Sequence, residues 1–292
     1  MVLLPYLFPS FRQSGTQSSE FSTIQAAVYS LGSRWSARTI FVYPGTYREQ
    51  VSIQYKGPLI IFGSTTNTAN WSSNTVTLTN NKNAADSGGN DPSATLRALS
   101  QDFKLYNVNV ANTFGGQALA ISARGTRQVY YGCEITGDQD TLFAHAGNGV
   151  QHYAYCWIEG SVDFIFGRTS ACDPVHHVFD RVKLVSTGAN LKNKVMLGRP
   201  WRVLARTTWQ NSHLGDLVHP DEYSTMAANA IPVYMEYGNT GSSADTSKRK
   251  YFTKTSAAHD WRQWRWHRTT TNNKPTTDCV PPYGDSAVDQ AG

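Results

Sequence analysis

The segment CEITG at 133–137 returns 23 residues later as CWIEG at 156–160. Three polar residues, Gln117, Asp140 and Asp163, are separated by the same interval of 23 residues. A repeat of this length is typical of a solenoid, in which equivalent residues of successive coils stack about 4.8 Å apart, the spacing between strands of a sheet. The sequence therefore predicts that two carboxylates and an amide form a short row.

Short alternating segments surround this repeat. Val108 and Val110 match Cys133 and Ile135, and alternation continues through 179–184. No long apolar stripe with helical spacing separates these segments, which favours a parallel β-helix over an alternating βα array. The predicted fold class is therefore all-β, a right-handed parallel β-helix.

An amphipathic helix is predicted for FSTIQAAVYSL at 21–31, with Ser22 or Thr23 as its N-cap. A solenoid needs its open end covered, and this helix is placed to cover it. The remaining predicted elements are strands at 39–43, 51–53 and 59–62, loops at 80–93 and 186–194, and a loss of strand texture from about Gly238.

One β-helix domain is predicted over residues 20–242, because an all-β chain of 292 residues can form a single domain. Residues 1–19 form an N-terminal segment without an assigned role. Residues 243–292 form an atypical basic tail that is disordered, the product of a misassembled gene end, or a genuine Trp-bearing segment that binds acidic pectin. Residues 248–292 carry a net charge of +4, against +5 for the whole chain. The basic charge therefore belongs to the tail, and no nucleic-acid partner is expected.

The chain has four cysteines, and Cys133 and Cys156 fall on stacked positions. A disulfide and two buried thiols are both compatible with that stacking. The sequence carries no transmembrane helix and no evident signal peptide, and the sequon Asn70-Trp71-Ser72 points to a secreted, extracellular protein without a membrane partner.

Paired carboxylates can divide the work of hydrolysis, since one attacks or activates water while the other protonates the leaving group. Asp140 and Asp163 are the candidates. Gln117 and Gln139 supply uncharged N–H donors suited to an oxyanion hole. The alternative is an Asp/Gln hydrogen-bond ladder that only satisfies the turns of the solenoid.

Five motifs in one order resemble the pectin methylesterase family, most closely its fungal members. They are GTYRE at 45–49, QALA at 117–120, GDQDTL at 137–142, VDFIFG at 162–167 and LGRPW at 197–201. The segment EYGNTG at 236–241 also resembles the family, so the resemblance covers roughly residues 20–242.

The resemblance implies a role for each matching residue. Asp163 would be the nucleophile that attacks the methyl-ester carbonyl of a galacturonate unit. Asp140 would protonate the departing methanol and then activate water to break the acyl-enzyme. Gln117 and Gln139 would stabilise the oxyanion, and Arg199 would hold Asp163 ionised.

Substrate-binding roles are expected for Trp201, Phe143, Phe166 and Val162, with core packing as the alternative for the aromatic side chains. The implied reaction is acyl transfer without metal or cofactor, and the sequence contains no HExxH, P-loop or GxSxG motif. The expected partner is pectin, as homogalacturonan, bound by a monomer. Two other functions stay open: a pectin-binding β-helix without turnover, and a lyase or polygalacturonase that cleaves the chain.

The stretch from 167 to 197 is shorter than in typical family members by about one coil. Such a loss would shift Arg199 by one rung, about 4.8 Å. Because the Arg and Trp of LGRPW are intact, we expect Arg199 still to reach Asp163.

Overall fold

The computed structural model describes residues 10–11, 15–16, 20–145, 150–167, 176–186, 190–200, 205–224 and 228–258. The chain forms two compact units. The first comprises Met1–Ala146 and Tyr153–Gly167, and the second comprises Gly147–His152 and Arg168–Gly292. Among the described residues, no helix is both long enough and apolar enough to span a membrane.

Three parallel sheets build the first unit, and successive coils add one strand to each sheet. The strands of sheet A, in order of pairing, are β2 (Glu20–Phe21), β1 (Ser10–Phe11), β3 (Arg38–Val42), β6 (Leu59–Gly63), β9 (Phe103–Tyr106) and β12 (Gln128–Tyr131). A further strand, β15 (Val150–Ala154), has only its last two residues in this unit. Those of sheet B are β16 (Trp157–Glu159), β13 (Glu134–Thr136), β10 (Asn109–Asn112), β7 (Val76–Asn80) and β4 (Gly45–Arg48). Those of sheet C are β17 (Ile165–Phe166), β14 (Leu142–Ala144), β11 (Ile121–Ala123), β8 (Leu96–Ala98) and β5 (Val51–Ile53).

The register of sheet B confirms the predicted repeat. Ile135 pairs with Ile158, its predicted equivalent in the next coil, and Val110 pairs with Ile135, as the alternation predicts. Val110 and Ile135 are fully buried, because every second side chain of a strand points to the same face and this face lines the interior. The predicted parallel β-helix is therefore confirmed.

The two stacked cysteines are buried free thiols. The Cys133 thiol contacts the carbonyl oxygen of Leu105 at 3.6 Å, and the Cys156 thiol contacts that of Tyr130 at 3.4 Å. Burial raises the pKa of Cys156 well above its usual value. Of the two compatible states, the structure therefore has the thiols, while Cys172 and Cys279 lie outside the described residues.

The predicted capping helix is α1 (Ile24–Ser30), with Thr23 as its N-cap. The Gln25 side chain of this helix accepts a hydrogen bond from the Ser52 backbone N–H at 2.6 Å. It also donates one to the Ser52 carbonyl oxygen at 3.2 Å. Ser52 lies on β5, the edge strand of sheet C. The Gln25 amide thus satisfies the backbone of an otherwise open edge, as a further strand would.

The predicted loop at 80–93 contains two short helices, so that prediction is wrong in detail. They are α2 (Ala84–Ser87) and α3 (Asn90–Ser93). Asn83 caps α2, and Gly88 ends it in the left-handed conformation at φ 79°. Helices of four residues have no apolar periodicity, so the sequence pattern does not reveal them. A short 3₁₀ helix covers Trp71–Ser73.

Parallel strands also build the second unit. One set pairs in the order β18 (His176–Asp180), β20 (Arg206–Gln210), β22 (Val233–Tyr237) and β23 (Phe252–Lys254), and β19 (Lys183–Leu184) pairs with β21 (His213–Leu214). The predicted loss of strand texture from about Gly238 is wrong for Phe252–Lys254, because β23 pairs with β22. The divisions at residues 19 and 242 stay predictions.

Candidate active site

Two carboxylates follow a ladder of single-residue bridges in the first unit. Gln117 pairs with Gln139, and Gln139 pairs with Val162. Asp140 and Asp163 are the next residues along the chain, so they occupy equivalent positions on successive rungs. This confirms the predicted equivalence of the two aspartates. The backbone partner of Gln117 is Gln139 and not the neighbouring Asp140, although the Gln117 side chain does reach Asp140.

The backbone places both aspartates in the left-handed conformation. Asp140 has φ 65° and Asp163 has φ 43°, in a region that aspartate enters more readily than most residues other than glycine. Twelve non-glycine residues among those described have positive φ, these two included, so the conformation belongs to the turns of the coils and does not by itself mark a site. Since the two residues are also equivalent on adjacent rungs, the same local turn directs both.

The environments of the two carboxylates differ. Asp140 is 7% exposed, whereas Asp163 is exposed to solvent. Burial raises the pKa of Asp140 and the nearby charge of Asp163 raises it further, while hydrogen bonds from Gln117 and Asn90 oppose the rise. Asp140 therefore keeps its proton to higher pH than an ordinary aspartate, which suits a general acid beside an exposed carboxylate.

Two amide side chains hold the same oxygen of Asp140. Gln117 Nε2 and Asn90 Nδ2 each donate to Asp140 Oδ2 at 2.9 Å. Asn90 lies on α3, inside the segment predicted as a loop, and no motif or interval in the sequence singles it out. One N–H of the Gln117 amide thus binds the Asp140 carboxylate, and the same nitrogen carries a second N–H. Gln139 is half-buried beside them.

The apolar residues predicted to bind substrate are not equally accessible. Phe143 and Phe166 stack with ring centroids 4.8 Å apart, and Phe143 is buried against Ala94 and Leu119. Phe143 therefore has the core-packing role that was the alternative to substrate binding, while Phe166 is half-buried. Val162 is 51% exposed beside the bridge ladder. Trp201 lies outside the described residues.

Arg199 belongs to the second unit and is exposed. The preceding residue, Gly198, forms a bridge with Tyr223, and the Ser224 N–H donates to its carbonyl oxygen at 3.2 Å. A β-carbon at Gly198 would come within 3.2 Å of the Tyr234 ring and 3.3 Å of the Tyr223 ring. The glycine of LGRPW thus permits close packing that fixes the backbone before Arg199.

Comparison with known proteins assigns the chain to one family. The Pectinesterase family model matches residues 13–184 and 179–266. The chain belongs to the pectinesterase family. The two matched segments overlap at residues 179–184, within the stretch 167–197 that is predicted to lack a coil. The second segment also runs beyond residue 242, into the predicted atypical tail.

Individual pectinesterases are similar over most of the chain. Pectinesterase A of Emericella nidulans is 43% identical over an alignment of 281 positions, which covers 85% of this chain and 86% of that protein. The solved pectin methylesterase of Aspergillus niger is 38% identical, with a TM-score of 0.78 over 88% of this chain and 93% of that one. A pectin methylesterase solved with hexasaccharide VII shares the fold at 18% identity, with a TM-score of 0.64 over 92% and 98% of the two chains. The predicted family and enzyme class are confirmed.

Proposed function

We propose that the chain removes methyl groups from methyl-esterified galacturonate units of pectin, with Asp163 as nucleophile and Asp140 as general acid and base. The observation that carries this assignment is the pairing of an exposed carboxylate with a buried one of raised pKa on adjacent rungs. The relatives named pectinesterase and pectin methylesterase support pectin as the substrate.

The two aspartates would act in sequence. A carboxylate oxygen of Asp163 attacks the ester carbonyl carbon, and the C–O bond to the methoxy group breaks as Asp140 gives it a proton. Methanol leaves, and the uronate stays bound to Asp163 as an anhydride. Asp140, now ionised, takes a proton from water, whose oxygen attacks the acyl carbon and releases the free uronate. Both aspartates return to their starting state.

The remaining roles follow from the same arrangement. Gln117, through its second N–H, and Gln139 would stabilise the oxyanion. The role of Arg199, which belongs to the second unit, stays a prediction. Phe166 and Val162 offer apolar surface to the sugar rings, with Trp201 as a further candidate. The enzyme would act outside the cell as a monomer.

Methanol release from esterified pectin, measured together with chain length, tests this function. We expect methanol to appear without shortening of the chain. Shortened chains would indicate a lyase or polygalacturonase. Binding of pectin without methanol release would indicate the β-helix that has lost turnover.

The Asn90→Ala variant should shift the pH profile of the reaction. The Asn90 amide stabilises the ionised form of Asp140, so its removal raises the pKa of Asp140 further. The limb of kcat/KM that reports loss of the acid form should therefore move to higher pH, by about half a unit to one unit for one hydrogen bond. Asn81→Ala removes an exposed asparagine that contacts Thr113 instead, and serves as the control. An unmoved limb would contradict the role of Asp140 as the acid.

A further inference from the structure

Two arginines lie on the outer face of sheet C in the first unit. Arg97 is the central residue of β8 and pairs with Ser122 on β11. Its neighbours Leu96 and Ala98 are buried in the interior, so Arg97 points outward. Arg124 follows β11 directly, two residues after Ser122, and therefore lies on the same face.

The Asp91 carboxylate forms ion pairs with both guanidinium groups. Asp91 Oδ2 lies 2.5 Å from Arg97 Nη2 and 3.3 Å from Arg124 Nη1, and the Ser122 hydroxyl donates to Asp91 Oδ1 at 2.6 Å. Although burial opposes it, hydrogen bonds from Arg97 and Ser122 lower the pKa of Asp91. Asp91 is therefore ionised at neutral pH, and the three charged groups together carry one net positive charge.

This surplus charge is accessible to solvent. The side chain of Arg97 is 31% exposed and that of Arg124 is 43% exposed, whereas Asp91 is only 17% exposed. Arg124 makes the longer contact with Asp91, and a guanidinium has five N–H donors in a planar fork that fits a carboxylate. The cluster is thus a half-open receptor for a second anion.

The basic pair is tied to the candidate active site through α3. Asp91, which holds both arginines, is adjacent in sequence to Asn90, whose amide donates to Asp140 at 2.9 Å. Adjacent Cα atoms are about 3.8 Å apart, so one dipeptide connects the proposed acid to the basic pair. The register of sheet C supports the same proximity, because Arg97 pairs with Ser122 and Ser122 pairs with Phe143, three residues after Asp140.

We propose that Arg97 and Arg124 form a subsite for the free carboxylate of a uronate unit that neighbours the ester under attack. The inference rests on the proposed function, because only removal of a methyl group turns the neutral ester of a pectin unit into an anion. The subsite would favour chains that already carry de-esterified units. Each turnover would thereby create an anion that this subsite can hold in a later encounter.

The Arg124→Gln variant tests the subsite, because Arg97 still pairs with Asp91 when Arg124 is neutralised. The first measurement is the ratio of kcat/KM on partly de-esterified oligogalacturonates to kcat/KM on fully methylated ones. The second is the affinity for fully de-esterified oligogalacturonate, measured by calorimetry at two salt concentrations. We expect the ratio and the affinity each to fall by about fivefold, the effect of a solvent-exposed ion pair, and the salt dependence to weaken.

Lys104→Gln is the matched control, since it removes an exposed positive charge from β9 of sheet A. It should leave the ratio and the affinity at the wild-type values. Unchanged values in Arg124→Gln, or an equal loss in Lys104→Gln, would overturn the subsite. Absence of methanol release by the wild type would count against the proposed function alone, because the affinity measurement still decides whether Arg124 binds the uronate.

Discussion

The Asp163→Asn variant should lose methanol release from esterified pectin by at least about a thousandfold, because an amide cannot attack the ester as a carboxylate does. The circular dichroism spectrum and thermal unfolding should remain close to those of the wild type, since Asp163 is exposed. Activity of Asp163→Asn within about threefold of the wild type would show that the nucleophile lies elsewhere.

The Asp140→Asn variant is the informative companion. An asparagine keeps the size of Asp140 but cannot give or take the proton, so turnover should fall by about 10²–10⁴-fold, the usual contribution of a positioned acid or base. The nucleophile and the acid can be told apart by whether a variant accumulates the acyl-enzyme. If Asp163 is acylated first, a leaving group that needs no proton should rescue the first step in Asp140→Asn, and mass spectrometry should then detect the acyl-enzyme. The same rescue in Asp163→Asn would contradict the assignment.

The constant interval in the sequence predicted the equivalence of Asp140 and Asp163 because strands in adjacent coils must pair in register. The same interval predicted the wrong backbone partner for Gln117, because coils differ in length where the chain turns between sheets. Val110 and Ile135 pair across a longer stretch of sequence than Gln117 and Gln139 do. Constant spacing in the sequence therefore identifies neighbouring coils, while the exact partner depends on turns that the pattern does not fix.

The contacts of Asp140 show a second limit of sequence analysis. Its hydrogen bond from Asn90 joins residues 50 positions apart. Asn90 lies on a four-residue helix in a segment whose Asn, Asp and Gly content predicts a loop. Likewise, Phe143 alternates as an outward residue of its strand, yet other elements cover it. Tertiary packing decides both cases, and local patterns carry no record of it.

The tail shows the same limit on a larger scale. Its lack of strand alternation favoured disorder or a misassembled gene end, yet within the described residues of the tail the Arg249 side chain is 1% exposed. It lies between the side chains of Glu222 and Glu236, which are no more than 3% exposed. Arg249 Nε donates to Glu236 Oε1 at 3.1 Å and contacts Glu222 as well. One cation cannot balance two buried carboxylates, so the cluster is neutral only when one glutamate keeps its proton. Burial and the proximity of Glu236 raise the pKa of Glu222 to about 10, so Glu222 is the partner that we expect to keep the proton.

The Arg249→Met variant should lower the free energy of unfolding by about 3–5 kcal/mol, because it leaves the Glu236 carboxylate buried without its cation. Urea denaturation followed by circular dichroism measures the loss. Lys248→Met, at the neighbouring exposed position, is the control and should change stability by less than about 0.5 kcal/mol. A loss of similar size in both variants, or in neither, would show that the tail does not depend on this cluster.

The pH dependence of stability gives the cluster a signature that a simple packing defect lacks. Glu222 ionises near pH 4.5 in the unfolded chain, whereas the folded chain keeps its proton up to a pKa of about 10. The stability that protonated Glu222 contributes is therefore complete below pH 4.5 and is lost as the pH rises toward 10. Glu222→Gln keeps the shape of the protonated acid but cannot ionise in either state, so it should be more stable than the wild type at pH 8, by up to about 5 kcal/mol, and the difference should vanish near pH 4. A variant that is less stable than the wild type at pH 8 would mean that Glu222 is ionised in the folded protein and that Arg249 is shared by two charged carboxylates.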